Sequence, residues 1–175
     1  HNSSILLRLI NQILKLSKQD KGKLDIELRE GDIVEFCRNC FSQFLQIAHD
    51  KQIQFAFNTN ASYILLLFDA YKMEEILYNL LSNAIKKTKQ GTITLGMCKE
   101  GDWVKLFVRD TGCGISKEKL PLIFTRFEKL NEFSQGTGLG LTISRAIVEA
   151  AGGEVGFTSK LGVGSTFWAW LPLRP

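Results

Sequence analysis

Apolar residues along this chain recur at two spacings, one of three and four positions and one of two, and the alternation between them marks out its elements. From Ser3 to about Lys18, residues Ile5, Leu6, Leu9, Ile10, Ile13, Leu14 and Leu16 make the stripe of an amphipathic helix or coiled-coil strand. The polar stretch KQDKGKLD ends that helix and leads into the main domain near Asp25. Asp32 is placed to cap a second helix from Ile33 to Lys51, with Val34, Cys37, Phe41, Phe44, Leu45 and Ala48 inward. QFAFN and YILLLF read as short strands. Tyr71 to about Lys87 reads as a helix with Met73, Ile76, Leu77, Leu80, Leu81, Ala84 and Ile85 on its apolar side. TITLGMC and WVKLFVRD flank the turn residues Glu100, Gly101 and Asp102 and predict a hairpin. LTISRAIVEAAGG predicts a helix ended by Gly152 and Gly153, and EVGFTS and STFWAWLPL predict two strands around the LGVG turn. Helices among mostly adjacent strands predict an α+β fold in two layers, a mixed sheet with helices stacked on one face, preceded by the N-terminal helix.

Composition narrows this only a little. The 175 residues are 45% hydrophobic and 23% charged, values of a folded soluble domain rather than a disordered or fibrous chain. The longest apolar run, Tyr63 to Phe68, is far short of the ~20 residues that span a bilayer. The opening HNSSILLRLI has neither Met nor a cleavable apolar stretch and reads as the cut end of a longer protein. The net charge of +4 comes from scattered basic residues, which does not point to a nucleic-acid partner. Four cysteines, at 37, 40, 98 and 113, are too few for a disulfide scaffold and suit reduced thiols in the cytosol. The lone CxxC of Cys37 and Cys40 has no second pair and no His at ligand spacing, so helix packing is the simpler reading.

Three short motifs carry chemistry. In NLLSNAIKKT, Asn79, Asn83 and Lys86 or Lys87 fall one turn apart on one helix face. Two amides and an ammonium there can hold a hydrated divalent cation and an anionic oxygen; a solvated helix side is the alternative. DTGCGI, Asp110 to Ile115, follows a strand directly. Its glycines let backbone approach a flat ligand, and an ionised Asp, which only accepts, suits the amine of adenine and rejects the carbonyl of guanine. A glycine-rich turn with Asp at its start is the alternative. GTGLGL, Gly136 to Leu141, opens a helix whose free N–H groups and positive end make a phosphate seat. No acidic residue follows at dinucleotide-fold spacing, and no Gly-Lys-Ser/Thr closes the run as in a P-loop. Between the last two motifs lies Ser116 to Gln135, one helical-looking stretch KEKLPLIFTRF and a polar tail, suited to covering a bound ligand.

With IFTRF and GVGSTF added, these blocks stand in an order that resembles the catalytic ATP-binding domain of sensor histidine kinases, in the superfamily that also holds gyrase, Hsp90 and MutL. The resemblance spans most of Phe68 to Leu173 and implies the Bergerat fold over residues 25–175, with residues 1–24 similar to the second helix of a dimerisation and phosphotransfer hairpin. It implies that Asn83 ligates magnesium, with Asn79 beside it and Lys86 near the phosphates. Asp110 is then the adenine-reading carboxylate, with Gly112, Gly114 and Ile115 at the base. Gly136, Thr137, Gly138, Leu139, Gly140 and Leu141 form the lid end that meets the phosphates; Phe124 and Phe127 anchor the lid; Lys129 is its basic residue; Thr166 reaches the adenine. ATP and magnesium are the implied cofactors. The implied partners are a phosphoacceptor histidine helix, a response-regulator receiver domain and a second copy in the full-length protein, at the cytoplasmic side of a membrane-associated or hybrid sensor.

Two departures stand out. The family's acceptor His sits beside an acidic residue with a Pro a few positions on, and neither His1, followed by Asn2, nor His49, followed by Asp50 and Lys51, continues that block. The acceptor is therefore expected on a helix missing from this chain, which should bind nucleotide but hardly turn it over. Lys87 stands where the family usually has an aromatic residue. A regulatory domain without turnover, a clamp- or topoisomerase-like ATPase using Glu74 or Glu75, and a plain dimerisation module remain the other readings.

Overall fold

The computed structural model describes residues 24–124 and 140–174. The expected N-terminal helix and the lid positions Phe127, Lys129, Gly136, Thr137, Gly138 and Leu139 lie outside them. The described chain runs β1 (Arg29–Asp32), α1 (Ile33–Asp50), β2 (Ile53–Thr59), β3 (Leu65–Phe68), α2 (Ala70–Lys87), β4 (Gly91–Glu100), β5 (Trp103–Asp110), a 3-10 turn (Leu120–Leu122), α3 (Gly140–Ala150), β6 (Glu154–Lys160) and β7 (Gly164–Pro172).

Five strands form one sheet in the order β2-β4-β5-β7-β6. The β2–β4 pair is parallel and the other three pairs are antiparallel, so the sheet is mixed as expected. The hairpin at Gly101 closes with Glu100 opposite Trp103. YILLLF holds a strand as expected, over its last four residues. Its strand β3 pairs antiparallel with β1 in a separate two-stranded sheet, Arg29 opposite Phe68 and Asp32 opposite Leu65. The sequence REGD of β1 has no apolar alternation, so it is a strand only because Leu65–Phe68 offers it an edge.

Helix starts follow local chemistry. Asp32 Oδ1 accepts from Val34 N at 3.0 Å, capping α1, and also from Ile64 N at 3.1 Å, which ties the cap to the chain entering β3. Asp69 caps α2 through Lys72 N at 3.0 Å, while its second oxygen accepts from Glu27 N at 3.0 Å. The inner face of α1 consists of Ile33, Val34, Cys37, Cys40, Phe44 and Ala48. Leu45, expected inward, is 44% exposed, and Cys40 takes the place in the core. Burial pushes both thiols up, Cys40 to about 11, so neither is a ready nucleophile at neutral pH. On α2, Met73, Ile76, Leu77, Leu81, Ala84 and Ile85 are buried, with Leu80 packed at the margin.

Alternation fixes the two faces of the sheet. Val104, Leu106, Val108 and Asp110 of β5 point into the core, joined across the β5–β7 ladder by Leu171, Ala169, Phe167 and Ser165. The opposite face carries Trp103, Lys105, Phe107 and Arg109, with Lys105 Nζ 5.5 Å from the ring centres of both Trp168 and Trp170. None of the described helices is long and apolar enough to cross a membrane.

Candidate nucleotide site

The buried polar side chains of the described residues are Thr88, Asp110, Ser144 and Ser165; Thr88, Asp110 and Ser165 lie where α2 and β5 end and β7 begins, and Ser144 lies in the first turns of α3. Polar burial without function is disfavoured, so this concentration locates the site before any motif is invoked.

Asp110 ends β5 with its side chain in the helix layer, 6% exposed. Its Oδ1 accepts from the Gly112 amide at 2.9 Å. Burial pushes its carboxyl above the ordinary carboxylate range, and the amides of Gly112 and Ser165 pull it part of the way back. The next turn is packed between two other pieces of backbone. A Cβ on Gly112 would lie 2.5 Å from the Lys87 carbonyl oxygen, and one on Gly114, where φ is +67°, would run into the Lys160 carbonyl. Cys113 donates to Lys87 O at 3.3 Å and accepts from Gly162 N at 2.7 Å. These glycines thus let the chain pass close to itself, which is a more immediate need than access for a ligand. Gly114→Ala is expected to lower the unfolding free energy by about 2 kcal/mol or more, measured by chemical denaturation. Gly101→Ala, with φ +57° but nothing within 4 Å, is the control that suffers the backbone strain alone.

The polar stripe of α2 connects this turn to the start of α3. At one end Asn79 Nδ2 donates to Gly140 O at 3.3 Å, and a Cβ on Gly140 would sit 3.2 Å from the Asn79 side chain. At the other end Lys87 O holds the Asp110 turn through Cys113. Asn83, half-buried, lies one turn beyond Asn79 on the same face, with Lys86 exposed further along. From Asn79 to Lys87 the helix rises about 12 Å. Ser144 Oγ also donates to Gly140 O, at 2.9 Å, fixing the first turn of α3.

The described residues on either side of positions 125–139 are held together. Phe124 packs on Phe157 with ring centres 5.7 Å apart, Arg145 Cζ lies 5.5 Å from the Phe124 ring centre, and Thr142 Oγ1 donates to Phe124 O at 3.2 Å. Phe124 and the first turns of α3 therefore share one small cluster.

One expected residue is misplaced. Thr166 stands opposite Arg109, on the sheet face away from Asp110. The hydroxyl on the Asp110 side is that of Ser165, directly opposite Asp110 and 2.8 Å from Ser159 Oγ. Ser159 Oγ in turn accepts from Ile115 N at 2.9 Å, so the two serines hold the far end of DTGCGI. The strict alternation of β7 held this signal: counting by twos from buried Ala169 and Leu171 reaches Ser165 and not Thr166. His49 sits in the last turn of α1, exposed beside Asp50.

The residues fit a magnesium–nucleotide complex. Thr88 Oγ1 is buried without a partner just past the end of α2, and the helix carries two amide side chains, Asn79 and Asn83, and the ammonium of Lys86 along one stretch. Among the described residues no group of three His, Cys, Asp or Glu side chains forms a metal site of its own, so a cation here would draw most of its ligands from phosphate and water.

Comparison with known proteins identifies the family. Residues 68–175 match the family described as histidine kinase-, DNA gyrase B-, and HSP90-like ATPases. The circadian input-output histidine kinase CikA of Synechococcus elongatus is 35% identical over 174 residues, covering 95% of this chain and 23% of that protein. Sensor histidine kinase RcsC of Escherichia coli K12 is 34% identical over 178 residues, covering 99% of this chain and 19% of its own length. The chain thus spans about a fifth of these curated relatives. Among solved structures, full-length ShkA in complex with AMPPNP superimposes with a TM-score of 0.86 at 30% identity, over 97% of this chain and 36% of that one. The catalytic domain of histidine kinase ThkA gives a TM-score of 0.77 at 29% identity, over 85% of this chain and 97% of that domain. The chain belongs to the histidine kinase-, DNA gyrase B- and HSP90-like ATPase family, as the ATP-binding catalytic domain of a sensor histidine kinase.

Proposed function

We propose that this domain binds Mg-ATP with the adenine at Asp110 and the triphosphate toward Gly140, and presents the γ-phosphate to a histidine on a helix outside the chain. The observation that carries this reading is the α2 stripe, bonded through Asn79 to the first residue of α3 and through Lys87 to the Asp110 turn. Asp110 accepts the adenine amine, and Ser165 rather than Thr166 supplies the neighbouring hydroxyl. Asn83 and Asn79 face the phosphates with Lys86; Gly136 to Leu141, with Lys129, complete the phosphate side in the family pattern. Magnesium, held by Asn83, would neutralise charge on the phosphate oxygens.

In the transfer the bond between the γ-phosphorus and the β–γ bridging oxygen breaks, a bond from that phosphorus to the imidazole nitrogen forms, and ADP leaves. The domain contributes positioning and charge compensation, not a covalent group. In the parent protein the further partners are a second copy and a receiver domain. A histidine kinase ThkA has been solved in complex with a response regulator protein, TrrA, at 26% identity and a TM-score of 0.82 to this chain. A domain that takes up ATP is proposed to lie on the cytoplasmic side, where ATP is made and held.

Calorimetric titration with ATP and GTP, each with and without magnesium, tests the reading. Magnesium-dependent binding of ATP with GTP at least about tenfold weaker is expected. Equal affinity for both nucleotides removes Asp110 from base recognition, and no binding of either refutes the reading.

A further inference from the structure

Three of the four buried polar side chains of the described residues have partners. Asp110 accepts from the amide of Gly112, Ser144 donates to Gly140 O, and Ser165 bonds Ser159. The fourth, Thr88, is 2% exposed, and its Oγ1 has none. Its backbone is satisfied, since Thr88 N donates to Ala84 O at 3.0 Å as the last bond of α2. Only the hydroxyl is orphaned, and a buried hydroxyl without a partner has lost its water with nothing in return.

Its place in the chain gives the orphan its neighbours. Thr88 follows Lys87, whose carbonyl oxygen accepts from Cys113 N. That carbonyl oxygen lies 2.5 Å, and Asp110 Oδ1 2.9 Å, from the single point where a Cβ on Gly112 would stand. Three residues further on, a Cβ on Gly91 would run into Thr111 Oγ1. The segment leaving α2 and the turn leaving β5 are therefore packed side by side, with Thr88 and Asp110 as the buried polar side chains of that junction.

We propose that the Thr88 hydroxyl is a second base-reading group, hydrogen-bonded to the adenine directly or through one buried water. This rests on the nucleotide reading above. The edge of adenine presents a donor amine beside an acceptor ring nitrogen. An ionised Asp110 accepts and never donates, and the Ser165 hydroxyl beside it gives its one proton to Ser159 Oγ, whose own proton goes to Gly164 O, so the amine is satisfied and the ring nitrogen is left unmet. A hydroxyl is the donor that completes the pair, and the bound base removes the penalty that Thr88 carries in the free domain.

The test uses Thr88→Val, which keeps the shape and loses the hydroxyl, and Thr88→Ser, which keeps the hydroxyl; Thr88→Ala repeats the first comparison with a smaller side chain. Unfolding without nucleotide and titration with Mg-ATP and Mg-ADP are measured for each. Thr88→Val is expected to unfold at or above the wild-type midpoint yet bind both nucleotides about three- to tenfold more weakly, by the same factor because the base edge is common to both. Thr88→Ser is expected to stay within about twofold of wild type. Wild-type affinity in folded Thr88→Val and Thr88→Ala overturns the inference and leaves the nucleotide reading intact. Failure of the wild-type chain to bind either nucleotide overturns both.

Discussion

Asp110→Asn is expected to weaken ATP binding by about 10- to 100-fold while leaving the domain as stable as before or more so. The binding loss follows from charge and direction. The carboxylate offers only acceptors to the adenine amine, whereas the amide turns a donor toward one of its neighbours and removes the charge that strengthens the bond. The stability effect has the opposite sign because burial raises the Asp110 carboxyl in the folded state. The native protein then holds this proton more tightly than the unfolded chain. Ionisation costs stability as pH rises from the unfolded carboxyl value, about 3.9, through the raised native value, and the cost stays constant above it. Asn lacks that cost, and it keeps an acceptor for Gly112 N. The midpoint of unfolding, measured from pH 3 to pH 8, should therefore favour the variant most at neutral pH and converge toward acid. A variant that loses binding together with several degrees of stability at pH 7 would show Asp110 to be a structural residue instead.

Asn83→Ala is expected to remove the magnesium dependence of ATP binding, with the affinity for Mg-ATP falling about tenfold or more, to the value measured in chelator. Asn83 is half-buried and shares a face with Asn79 rather than with the apolar side of α2, so the fold should not change. Titration with and without magnesium separates the two outcomes. A uniform loss in both conditions would mean that Asn83 meets phosphate directly, and no loss would remove it from the site. Asn79→Ala has a different signature, because its amide also holds Gly140; it should disturb the start of α3 as well as binding.

Much of this was legible in the sequence. The periods of α1 and α2 and the cap at Asp32 are local, since they depend on side chains within a turn or two of each other. The β4–β5 hairpin is local for the same reason. The order of the glycine motifs was also readable, and with it the family. What could not be read depends on contacts between distant residues. Leu45 and Cys40 both suited the stripe of α1, and only the packing partners decided which went in. REGD carried no strand signal and became β1 because β3 lay open beside it.

The site divides along the same line. The sequence by itself determined which chemical groups are present, because an Asp after a strand, glycines in a turn and amides one helical turn apart are facts of spacing. The tertiary structure alone decided which of them meet. It placed Asn79 against Gly140, sixty-one residues away, and Lys87 against Gly112 and Cys113. It set Ser165 rather than Thr166 opposite Asp110, because a strand shows only every second residue to one face and the register across β5–β7 fixes which. It also buried the Thr88 hydroxyl with no partner, a property of surroundings assembled from separate segments that no residue's own neighbours in the chain could announce.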